Sequence, residues 1–113
     1  MLKNTLLQLT KEYMGDGDEV LGRSLISNYL KIRLNDNNLP KIIVFFNSAV
    51  KLVTKDSEVL NFLKEIEAKG VKLICCTTCL KHFDLLNHME CGTPGSMVDI
   101  ISLQDNADKI ITL

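Results

Sequence analysis

The side chains best suited to chemistry in this sequence are the thiols of Cys76 and Cys79, in the run Cys75-Cys76-Thr77-Thr78-Cys79. A C-x-x-C pair supports nucleophilic or redox work where its surroundings favour the thiolate, the reactive form of cysteine. Val71 to Cys75 reads as a strand, and a helix is predicted to open at Thr78 or Cys79. The pair therefore falls at a strand-to-helix junction, where free N–H groups and the helix dipole favour a negative sulfur. Two short cysteines also fit a tight turn without doing chemistry. Zinc is a rival, because His88 and Cys91 would complete four ligands, but C-x2-C-x8-H-x2-C departs from the common finger spacings and no metal is expected. A thioredoxin-like oxidoreductase also places C-x-x-C after a strand, yet here the pair follows the third strand of a parallel pattern.

The remaining candidates carry less. Cys75 continues the apolar run of its strand and reads as packing. Cys91 lies in a Gly/Pro loop and could be a second thiol near the site, but reads better as an incidental surface residue. His82 and His88 follow the cysteines on or near a helix, and with no third group of a triad in view they read as solvated. Asn47, Ser48 and Lys51 are placed to line a strand-end cleft as hydrogen-bond donors and substrate-binding groups, although Asn-Ser after a strand is also ordinary turn chemistry. Gly15-Asp16-Gly17-Asp18 lacks the glycine spacing of a phosphate loop, and its carboxylates would repel an anion, so helix capping explains it better.

The elements that must position these groups follow from periodicity. Thr5–Leu9 is a short apolar strand, and from Asp18 the apolar residues Val20, Leu21, Leu25, Ile26, Tyr29, Leu30 and Ile32 recur at helical spacing until Asn35–Asn38. Ile42–Phe46 is a continuous β-branched and aromatic run, predicted to be a central strand covered on both faces. A helical turn is expected at Val50–Val53, and a helix from Ser57 to Gly70. The helix after the cysteines is expected to run through Leu86. Gly92-Thr93-Pro94-Gly95 is expected to break the chain, Ser96 to cap a last helix, and Lys109–Leu113 to form a terminal strand. Strands alternating with helices predict a parallel sheet between helix layers, with ligands at the carboxyl ends of the strands.

The 113 residues, 46% hydrophobic with a formal net charge of -1, predict one globular domain over residues 1–113 able to bury a core without disulfides. No basic stripe with interleaved aromatics suggests nucleic acid, and no apolar run approaches the span of a bilayer. Three cysteines crowded into five positions, with no export signal ahead of them, predict a reducing cytoplasm.

Several stretches together resemble the DsrE/DsrF-like family, most closely the carboxy-terminal domain of YedF-type selenium metabolism proteins. They are Met14-Gly15-Asp16-Gly17-Asp18-Glu19-Val20-Leu21-Gly22, Leu39-Pro40-Lys41, Phe45-Phe46-Asn47-Ser48-Ala49-Val50-Lys51-Leu52, Ser57-Glu58-Val59-Leu60, Gly70-Val71-Lys72-Leu73, Cys76-Thr77-Thr78-Cys79-Leu80 and Ala107-Asp108-Lys109-Ile110. The resemblance implies an α/β fold of the flavodoxin-like class: a three-layer α/β/α sandwich with a mostly parallel sheet of four to five strands. It also implies a homo-oligomer and a sulfur relay in which a cysteine carries a persulfide without a cofactor. Cys79 matches the second cysteine of the family's C-G-x-C segment and Cys76 the first, with Thr77 in place of the usual glycine. Gly95-Ser96-Met97 stands where a Ser-Asn-Met stretch is usual. YedF-type proteins carry an amino-terminal TusA-like domain that has no counterpart in these residues. The implied partner is a TusA-like sulfur-carrier protein or another persulfide donor or acceptor. The alternative is a non-catalytic oligomeric module of the same fold that binds a small ligand or a protein.

Overall fold

The computed structural model describes residues 2–113. Five strands form one sheet: β1 (Thr5–Leu9), β2 (Ile42–Phe45), β3 (Lys72–Cys76), β4 (Thr93–Gly95) and β5 (Lys109–Thr112). They lie in the order β4-β3-β2-β1-β5, every neighbouring pair parallel. This is the α/β architecture expected, and β2 is the central strand.

Side chains alternate across a strand with a period of two, so each strand feeds both faces of the sheet. Leu7, Leu9, Ile43, Phe45, Leu73 and Cys75 point into the larger core. Helix α1 (Glu19–Asn35) and helix α2 (Leu60–Ala68) cover that face, inserting Ile26 and Leu30 from the first and Leu63 and Ile66 from the second. Leu6, Val44 and Cys76 point the other way, where α4 (Met97–Asn106) covers them with Ile100. Neighbouring cysteines are thus sent to opposite cores.

Local sequence accounts for most boundaries. Asp18 caps α1, its carboxylate accepting from the Leu21 N–H at 2.8 Å. Ser96 and Asp99 form a reciprocal capping box on α4, each side chain accepting from the other's backbone N–H at 3.2 Å. Such caps satisfy N–H groups that have no partner within the helix.

Four boundaries differ from the reading of the sequence. Thr93–Gly95 pairs with β3 as an edge strand rather than merely breaking the chain. Pro94 is tolerated there because an edge strand needs hydrogen bonds on one side only. The turn after β2 is a 3-10 helix, η1, that starts at once and spans Asn47–Val53. Ser57 lies ahead of α2, its hydroxyl accepting from the Val59 N–H at 3.2 Å in a turn. Helix α3 (Thr77–His82) is shorter than its apolar pattern suggests, because the chain leaves helical geometry at Asp84 with φ of 56°. Among the described residues no helix is long and apolar enough to cross a membrane.

Candidate functional site

Strands β2 and β3 are neighbours in register, Phe45 opposite Cys75, so the segments leaving their carboxyl ends emerge side by side. The segment after β2 is η1 and the segment after β3 is α3. Asn47, the first residue of η1, adopts a left-handed backbone with φ of 49°, which asparagine tolerates better than most residues. Its N–H is thereby aimed across the gap and donates to Cys79 Sγ at 3.1 Å.

Cys79 sits on the first turn of α3, partly exposed and packed against both cores. Cys76 caps the same helix from the last position of β3 and is buried. Asn47, Thr78, Cys79, His82 and Phe83 line a depression of about 290 Å³ that opens over the Cys79 sulfur. Of the pair, Cys79 therefore faces the depression, whereas Cys76 is buried.

The electrostatic balance corrects the expectation of a stabilised thiolate. Burial, and then the hydrogen bond with the Cys76 thiol, push the Cys79 pKa above the ordinary 9.0. The N–H groups of Asn47 and of Cys79 itself act in the opposite direction without overcoming them. A helix of only six residues adds little dipole against that desolvation.

The other sequence candidates separate. The Ser48 hydroxyl accepts from the Glu12 N–H at 3.3 Å, tying the loop after β1 to η1 instead of lining the Cys79 depression. The Lys51 Nζ lies 4.7 Å from the Phe83 ring centroid, one turn along η1 from Asn47. His82 is exposed on the Cys79 depression with its ring edge-on to Phe83, whereas His88 lines a different cavity. Cys75 is fully buried, and burial pushes its thiol up to about 12.

Cys91 is not an incidental surface residue. It lies in the larger core, where burial pushes its thiol up to about 11, and a charge on it would be felt at Cys75. The adjacent Gly92, at φ of 77°, lets the chain turn in against Leu73 and carry Cys91 inward. Cys76, Cys79, His88 and Cys91 consequently do not converge, and no three His, Cys, Asp or Glu side chains among the described residues are grouped to hold a metal ion.

Sequence reasoning missed the cavity beside this depression. Glu12, Arg23, Lys51, Asp56, Glu58 and Phe83 are among the residues lining about 450 Å³ of space. They come from five separate segments, the loop after β1, α1, η1, the turn ahead of α2 and the end of α3, and nothing in their local sequence announces a common site.

A parallel sheet with a lone partly exposed cysteine at the carboxyl ends of its central strands defines the class: an α/β protein with a strand-end thiol site. The chain belongs to the DsrE/DsrF-like family, whose model matches residues 10–113. No curated protein matches it significantly. Among solved structures it is similar to the YchN protein of E. coli, with a TM-score of 0.71 and 19% identity over 98% of this chain and 100% of that one. It is also similar to BT1422 of Bacteroides thetaiotaomicron, described as a conserved protein of unknown function, with a TM-score of 0.65 and 20% identity over 97% and 95% of the two chains. A third similar structure is MTH1491 of Methanobacterium thermoautotrophicum, also of unknown function, with a TM-score of 0.68 and 16% identity over 96% and 97%. At these identities the likeness establishes the fold.

Proposed function

We propose that this chain is a cytoplasmic sulfur carrier in which Cys79 holds a persulfide, as its DsrE/DsrF-like family suggests. The observation that carries the reading is the Cys79 sulfur, open to a depression and held by the Asn47 N–H, beside a buried second thiol. Cys79 attacks the outer sulfur of a donor persulfide, R–S–SH. A new S–S bond forms at Cys79 as the donor's S–S bond breaks, and the departing sulfur leaves as R–SH with the proton that Cys79 gave up. The sulfane sulfur moves between thiols with no net oxidation and no cofactor. Asn47 stabilises negative charge at the site in both forms, as a fixed backbone donor does for an anion.

One exchange partner in this reading is a TusA-like carrier protein, and the same exchange accommodates selenium, as the likeness to YedF-type proteins suggests. Self-association is a further part of this reading. Helix α4 buries Ile100 but leaves Val98 77% exposed, with Met97 and Ile101 beside it, an apolar surface suited to a second copy of the chain.

The raised Cys79 pKa favours one competing reading, a binding module whose thiol is inert. Intact-mass measurement after incubation with a persulfide donor separates the two. The native chain gains about 32 Da, the mass of one sulfur atom, Cys79→Ser gains none, and Cys76→Ser retains uptake. Equal labelling of all three, or of none, overturns the carrier assignment.

A further inference from the structure

Cys79 and the larger cavity are structurally joined. Phe83 lines both spaces. Asn47 and Lys51 stand one turn apart on η1, facing Cys79 and Phe83, which stand one turn apart on α3 and its cap. The rise of such helices puts the Lys51 end of the cavity roughly 6–8 Å beyond the Cys79 sulfur.

The charges in that cavity are of both signs and incompletely paired. Glu12 faces two cations, at 3.4 Å from Arg23 and 3.9 Å from Lys51. Arg23 has a second carboxylate in Glu19 at 2.8 Å, so Lys51 is the cation with hydrogen-bonding capacity to spare. Asp56 and Glu58 line the same cavity without an ion-pair partner among the described residues. A simple anion would meet three carboxylates as well as two cations there. A zwitterion satisfies both sets, its carboxylate toward Lys51 and its ammonium toward Asp56 and Glu58, at charge-assisted hydrogen-bonding positions.

From this arrangement we propose that the cavity binds the α-amino acid head of a small γ-glutamyl peptide thiol, whose sulfur then reaches Cys79. The site supplies the second exchange partner of the carrier and rests on that reading of Cys79. The peptide thiolate attacks the outer sulfur of the Cys79 persulfide, its new S–S bond forming as the bond to the Cys79 sulfur breaks, so the peptide departs as a persulfide and Cys79 regains its thiol proton. Free cysteine is the poorer fit, because its ammonium and carboxylate groups are attached only three bonds from its sulfur and cannot span the distance from Lys51 to Cys79. A γ-glutamyl linkage adds that span. The volume of about 450 Å³ lies within the range of small-molecule sites.

The test uses S-methylglutathione, whose blocked sulfur cannot exchange, titrated into isotope-labelled protein and followed by amide shifts in NMR. Saturable shifts at Lys51, Asp56 and Phe83 are expected in the native chain and in Cys79→Ser alike. Binding should weaken about tenfold in Lys51→Gln and in the exposed variant Asp56→Asn. Absence of saturable shifts, or unchanged affinity in both variants, overturns the site. S-methylcysteine binding as tightly as S-methylglutathione overturns the γ-glutamyl assignment. Binding of the probe by a chain whose Cys79 takes up no persulfide sinks the carrier reading and leaves the site standing, whereas persulfide uptake without probe binding does the reverse.

Discussion

The backbone N–H of Asn47 donates to the sulfur of Cys79 at 3.1 Å, joining the ends of two adjacent strands through residues 32 positions apart in sequence. The contact depends on a main-chain group, so its sensitivity to substitution at position 47 is set by backbone conformation. Asn47→Gly keeps both the N–H and the positive φ and should leave the rate of Cys79 alkylation close to native. Asn47→Val places a β-branched residue in the left-handed region and should cost about 1–2 kcal/mol of stability. Urea unfolding and iodoacetamide labelling of the two variants, followed side by side, check both statements.

Alkylation of Cys79 should respond to pH as a raised thiol does. Its rate at pH 7 is held down because the proton is retained above the ordinary 9.0, and it should climb as pH rises through and beyond that value. Burial is the larger cause and persists in a Cys76→Ala variant, but the hydrogen bond with Cys76 is removed. The midpoint of the rate profile should therefore move down in Cys76→Ala. An unchanged midpoint would show that the two thiols do not interact, and an upward move that Cys76 favours the Cys79 thiolate instead of opposing it.

Cys75 and Cys91 link folding to alkaline pH. Their thiols hold their protons to about 12 and about 11 in the folded chain, against an ordinary 9.0. Below pH 9 both states keep these protons, so the stability these two thiols contribute is fully present there. Above it the unfolded chain ionises first, and that contribution is lost as pH rises toward the folded values. The urea midpoint should fall between pH 9 and 10.5 in the native chain. Cys75→Ala lowers stability at pH 7 by a packing loss, roughly 1–2 kcal/mol for one small buried group, and should show a shallower alkaline slope.

Gly22 is tightly enclosed. A Cβ there would stand 2.7 Å from the Met14 carbonyl oxygen and 2.9 Å from the Tyr13 Cβ, while the Met14 N–H donates to the Gly22 carbonyl at 3.0 Å. Gly22→Ala should cost about 1–3 kcal/mol and shift the loop that carries Glu12. Loss of the α4 cap in Ser96→Ala should cost about 1 kcal/mol without that shift. Thermal unfolding, together with amide shifts at Glu12, distinguishes the two.

Much of this molecule is legible along the chain. The apolar run Ile42–Phe45, the periodic α1, and the caps at Asp18 and Ser96 rest on local rules of alternation, spacing and unpaired N–H groups, and the structure follows them. Because β3 runs through Cys76, the period of two sends Cys75 and Cys76 to opposite faces. Local pattern failed where a neighbour set the outcome. Thr93–Gly95 became a strand because β3 offered an open edge, and Cys91 went inward because Gly92 lets the chain close on Leu73.

The C-x-x-C pair was visible in the sequence as a place for chemistry, but its two thiols were indistinguishable on spacing alone. Tertiary structure separated them, burying Cys76 beneath α4 and leaving Cys79 open to a depression under the Asn47 N–H. It also reversed the expected shift of the Cys79 thiol, because desolvation depends on everything packed around the sulfur and not on the helix it begins. The cavity of Arg23, Lys51, Asp56 and Glu58 belongs wholly to the fold, since only the parallel arrangement of the sheet brings those segments to one rim. Residue type and periodicity act over a few positions, while charge, burial and access are sums over neighbours that the chain supplies from far away.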